Sequence, residues 1–75
     1  MATTPTAQTG SNVRAEMARR GVSQTKIATH LNLSQAAVSA RLRGVTPFDI
    51  NELVKVSEFL DVPLEALLPR PEAVA

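Results

Sequence analysis

Apolar side chains along this chain recur every three or four residues, the spacing that lines one face of a helix, while strand-forming residues are sparse. The first such stretch contains Val13 and Met17. Ser11 and Asn12 are good caps ahead of it and Gly21 is a natural stop, so a helix is predicted from Ser11 or Asn12 to Gly21. A second helix is predicted behind Ser23 as its cap, with Gln24 first and Ile27, Ala28 and Leu31 as the inward stripe. Asn32 ends it, because asparagine, after glycine, best tolerates the left-handed backbone of a tight turn. Ser34 then caps a third helix that turns Val38 and Leu42 inward and stops at Gly44.

Thr46, Pro47 and Asp49 read as a capping hydroxyl, a proline at the first helical position and an acid in the first turn of a fourth helix. Ile50, Leu53, Val54 and Leu60 form its expected core face. Val62, Pro63 and Leu64 open a short fifth helix in which Leu67 and Leu68 cover the bottom of the core, before Pro69 and Pro71 stop it. Residues 1–10 are rich in Thr, Pro, Gln and Ala without apolar periodicity and are expected to form a disordered arm. The expected organisation is that arm, a compact all-α domain of five helices over 11–68, and a tail over 69–75.

Composition narrows the function classes. Seventy-five residues leave room for one small core, since domains this short bury only about 60% of their unfolded surface, and this argues against a multi-layer enzyme. Cysteine is absent, so neither disulfides nor thiolate metal sites are available, and His30 cannot build a metal site alone; it is expected at the surface. Asp49 is explained by its place at a helix start and Glu52 by an exposed helix face. No nucleophile–base arrangement or phosphate loop occurs, so no enzyme activity, cofactor, metal or small-molecule ligand is expected. Met1 to Asn12 lacks Lys, Arg and any long apolar run, which excludes a secretory signal or membrane anchor there; a cytoplasmic protein is expected.

The net charge of +1 conceals a division at Gly44. From Asn12 to Gly44, Arg14, Arg19, Arg20, Lys26, Arg41 and Arg43 face Glu16 alone, a balance of +5. Beyond Gly44, Lys55 and Arg70 face Asp49, Glu52, Glu58, Asp61, Glu65 and Glu72, a balance of −4. One basic and one acidic half would orient the molecule as it approaches a polyanion.

The third helix supplies the surface such an approach needs. With Val38 and Leu42 inward, Gln35, Ala36, Ser39, Ala40 and Arg43 fall on the opposite side and its flanks, and no acid lies between Leu31 and Val45. A helix with a small, polar outer face can enter the major groove. There Gln35 can pair with adenine, Ala36 and Ala40 can touch a thymine methyl, and Ser39 can bond to most bases. Arg43, at the helix end, is better placed for phosphate. Gln24 and the exposed amides of the second helix's first turn also suit phosphate, and Ser23, Lys26, Ser34 and Arg41 complete the expected phosphate-contacting set. For Arg41 a surface cation with its stem over the core is an equal reading; for Ala36 or Ala40 taken singly, helix propensity is explanation enough.

The run SQTKIATHLNLSQAAVSARLRG followed by TPFDINELVKVSEFLDVPLEALL resembles the lambda-repressor-like, or XRE, family of five-helix DNA-binding domains over Asn12 to Leu68. The resemblance implies phosphate contact by Gln24 and base contact by Gln35, Ala36, Ser39 and Ala40. The family usually has Gly where this chain has Asn32, and an Arg–Glu pair where it has Met17 and Leu42. Joint replacement by apolar residues keeps a first-to-third helix contact without a buried unpaired charge.

The function these readings imply is transcriptional regulation of the repressor or Cro type, as in bacteriophages or bacteria, on a palindromic duplex operator. The short chain favours the Cro-like form. A homodimer is expected, with Leu64, Leu67 and Leu68 as candidate interface residues. The alternative is an antitoxin-like protein-interaction module with secondary DNA binding.

Overall fold

The computed structural model describes residues 4–70. Four α-helices, α1 (Pro5–Arg20), α2 (Gln24–Leu31), α3 (Gln35–Leu42) and α4 (Ile50–Leu60), are followed by one 3-10 turn, Leu64–Ala66. They pack round a single core of Val13, Met17, Ile27, Ala28, Leu31, Val38, Leu42, Leu53, Val56, Leu60 and Leu67. Met17 and Leu42, the apolar pair read from the sequence, both lie in it.

Helix α1 begins well ahead of the expected Ser11 or Asn12. Thr4 accepts a hydrogen bond from the Ala7 amide at 3.1 Å and Pro5 is the first helical residue, a position where its fixed φ and missing N–H carry no penalty. Residues 5–10, expected in the disordered arm, are therefore helical, and Thr9 and Gly10 are buried. No apolar period marks this segment because small residues, not large ones, make its contacts. Residues 1–3 of the expected arm and 71–75 of the expected tail lie outside the described residues.

Helix α4 shows the reverse error. Thr46 and Pro47 do not start it: the amides of Val45 and Thr46 still bond to the Ala40 carbonyl, at 2.9 and 3.3 Å, closing the end of α3. Asp49 is the cap. Its carboxylate accepts from the Glu52 amide at 2.8 Å while Glu52 accepts from the Asp49 amide at 3.1 Å, a reciprocal box that satisfies two otherwise orphaned donors. In the helix it opens, Leu53, Val56 and Leu60 are buried, whereas Ile50 and Val54, expected in the core, are 59% and 38% exposed.

The fifth helix is reduced to a three-residue 3-10 turn. Beyond it, Asn12 of α1 donates to the carbonyls of Leu67 and Leu68 at 3.4 and 3.0 Å. Of the three leucines expected to face a second protomer, Leu67 is fully buried and belongs to the protomer's own core, and Leu64 and Leu68 pack partly buried against it. Among the described residues no helix is long and apolar enough to cross a membrane.

Truncating Leu67 should therefore act as a core deletion. Leu67→Ala is expected to lower stability by about 2–5 kcal/mol in urea melts, by the same amount at low and high protein concentration; a loss that grew on dilution would return this residue to an interface.

Candidate nucleic-acid interface

Helices α2 and α3 are set by short-range chemistry. The Ser23 hydroxyl accepts from the Lys26 amide at 3.3 Å and the Ser34 hydroxyl from the Ala37 amide at 3.1 Å, each capping its helix. Between the helices Asn32 adopts φ 58°, ψ 44°, the expected left-handed conformation, and the Asn32 and Leu33 amides close back on the carbonyls of Thr29 and Ala28. The turn is that tight because one left-handed residue both satisfies the last carbonyls of α2 and redirects the chain.

Val38 and Leu42 are buried at 0% and 2% exposure, which turns the opposite side of α3 outward. Gln35, Ala36 and Arg43 are exposed and Ser39 and Ala40 half-buried. Gln35 is not free to wander: its Nε2 donates to the Thr25 hydroxyl at 2.9 Å. One N–H is used, leaving the second N–H and Oε1, the donor and acceptor that paired recognition of adenine requires. At the far end the Arg43 Nε donates to the Ser39 hydroxyl at 3.3 Å, laying the guanidinium along the helix. Ser23, Gln24, Lys26 and Ser34 are exposed at the two helix starts.

Arg41 lies elsewhere. Its Nε and one terminal nitrogen donate to the two oxygens of Glu52 at 2.9 and 3.1 Å, and the other terminal nitrogen donates to the Ala37 carbonyl at 3.0 Å. Both side chains are largely covered, at 16% and 15% exposure, and hydrogen bonding to Glu52 raises the guanidinium pKa above its ordinary value against the opposing effect of burial. Arg41 fastens α3 to α4 instead of projecting toward a phosphate. Glu52, expected on an exposed face, serves both this pair and the cap of α4.

Sequence reasoning passed over Thr25 and gave Glu52 a solvent-facing place with no role. Neither partner lies within a helical turn: Thr25 and Gln35 are ten residues apart and Arg41 and Glu52 eleven. His30 is exposed, as expected, and stacks on Phe59 with ring centroids 4.5 Å apart. Among the described residues no group of three or more acidic or histidine side chains could hold a metal ion.

The Helix-turn-helix family, of XRE type, matches residues 13–67. The chain belongs to this family. Its members are DNA-binding transcription regulators. No curated protein matches the sequence. Among solved structures, the fold is similar to the restriction-modification controller protein C.AhdI from Aeromonas hydrophila (TM-score 0.74, 22% identity, 83% of this chain and 94% of that one). It is also similar to the clp gene regulator ClgR from C. glutamicum (0.82, 20%, 88% and 86%) and to a hypothetical transcription factor, NHTF, from Neisseria (0.78, 26%, 92% and 79%). The four α-helices of this XRE-type domain fall one short of the five expected, the last being the 3-10 turn.

The Arg41–Glu52 pair is testable as a unit. Arg41→Ala and Glu52→Ala are each expected to cost about 1–3 kcal/mol in urea melts, and the double variant less than their sum; strict additivity would show that the two side chains are not coupled.

Proposed function

We propose that this protein is a sequence-specific transcription regulator of the repressor or Cro type, which reads the major groove of a palindromic operator with α3. The observation that carries the reading is the outer face of α3: acid-free, small, and led by a Gln35 side chain whose orientation is restrained while its recognition atoms stay available. Gln35, Ala36, Ser39 and Ala40 contact bases. Ser23, Gln24, Lys26, Ser34 and Arg43 contact phosphates, where helix-start amides and unpaired cations attract the backbone without reading it. Arg41 drops out of that set, its donors being turned to Glu52 and Ala37.

The homodimer rests on the duplex. Two identical domains related by a two-fold axis, on half-sites one helical turn apart, place the same helix in successive major grooves. Its support is this symmetry argument and no longer the C-terminal leucines, which the protomer buries or half-buries itself.

Selection from random duplexes by the full chain should return a palindrome, and sedimentation on the selected duplex should give two chains per site; a single non-repeated half-site with one chain bound would overturn the dimer. On the selected duplex Gln35→Ala is expected to lose about 1–3 kcal/mol, roughly five- to 150-fold in affinity, with little change on random duplex. Arg43→Ala should weaken both alike and reduce the salt dependence of binding by about one phosphate contact. Equal binding by the two variants and the wild type would refute the reading of α3.

A further inference from the structure

We infer that the first turns of α1 form a clasp that sets the pose of α3 on DNA, with Gly10 as the positioning residue. The inference rests on the DNA reading above, and it concerns residues that precede Val13, where the family match begins.

The contact is made by backbone on backbone. A methyl group at Gly10 would lie 2.7 Å from the carbonyl oxygens of both Arg41 and Leu42 and 3.1 Å from the Leu42 carbonyl carbon. Carbonyls in the last turn of a helix cannot step aside as a side-chain tip can. Three residues earlier along α1, Ala7 meets Gly44, which follows α3 closely with φ 78°; a methyl group there would lie 2.8 Å from the Ala7 Cα and 3.0 Å from its Cβ. Two small-residue contacts, Gly10 under the end of α3 and Ala7 under Gly44, hold the C-terminal end of the reading helix so close to α1 that neither glycine has room for a methyl group.

The other end of α3 is held by the Ser34 cap and the Thr25–Gln35 bond. The helix has only eight residues, so both ends lie within about one turn of Gln35 to Ala40 and any displacement at Leu42 is carried to the bases as a tilt. Direct readout requires groups placed within about 0.5 Å and 10–20°, whereas contacts to phosphate tolerate more. Gly10 thus acts on base discrimination through Leu42 and not by touching DNA. Its helical cost supports a tertiary purpose: glycine inside a helix is less favourable than alanine, and here it sits within α1 and is buried.

The test is Gly10→Ala in the full chain, with two readouts. In the free protein, the amide resonances of Gln35 to Gly44 are expected to shift along the whole of α3. On DNA, affinity for the selected duplex should fall about tenfold while affinity for random duplex and the salt dependence hold, a loss of discrimination that mere destabilisation would not produce. Unmoved α3 amides, undiminished discrimination, or a proportional loss on both duplexes would overturn the clasp. If Gly10→Ala does not fold, Ala7→Gly, which removes the methyl facing Gly44 without introducing a clash, is subject to the same readouts with the same expected directions. A wild-type chain that selects no duplex would refute the DNA reading, and the amide shifts would still decide whether Gly10 positions α3.

Discussion

Helix α3 is only eight residues long, and a helix of that length has little stability of its own in water. It exists because Val38 and Leu42 are taken fully into the core, where α3 packs against α1 and α2. That single constraint divides the helix into an inner edge that cannot change without loss of packing and an outer edge whose side chains are exposed or half-buried. Small and polar residues can therefore stand at Gln35, Ala36 and Ser39 without endangering the fold. The remaining contacts of α3 refine this arrangement: Arg41 ties its flank to α4 through Glu52, and Thr25 restrains Gln35 across the turn.

The helix-turn-helix itself was legible because every device that makes it is local. Serine caps lie three residues from the amides they satisfy, and Asn32 turns the chain with its own backbone. Helix starts were less so, since a threonine before a proline occurs twice. At Thr4 it opens a helix; at Thr46 the amide is still occupied by the end of α3 and the start is deferred to Asp49. What defers the start at Thr46 is that its amide is already held by the Ala40 carbonyl, a bond that the threonine–proline pattern does not reveal.

The same limit explains the final segment and the first. Leu64, Leu67 and Leu68 have helical spacing, but the carbonyls of Leu67 and Leu68 are taken by Asn12 from more than fifty residues away, and a side chain that remote leaves no mark on local periodicity. Residues 5–10 lack large apolar groups because their partners are backbone carbonyls and a glycine, so the pattern that signals burial elsewhere is inverted there: absence of side chain is the condition of contact. Periodicity finds cores built of leucine and valine and passes over those built of close backbone approach.

Charge is distributed in keeping with this division of labour. Of the six cations between Asn12 and Gly44, Arg19 and Arg20 share Glu16 and Arg41 is held by Glu52, so with their two carboxylates these three contribute a net single charge. Arg14, Lys26 and Arg43 have no carboxylate partner among the described residues, and they provide most of what a polyanion would feel. Two of them bracket the helix-turn-helix, Lys26 in the first turn of α2 and Arg43 at the end of α3, while the surface between, from Gln35 to Ala40, is neutral. Strong, undirected attraction at the margins and weak, directional hydrogen bonding in the middle is the separation that lets a small domain hold a duplex by its backbone and still be sensitive to its bases.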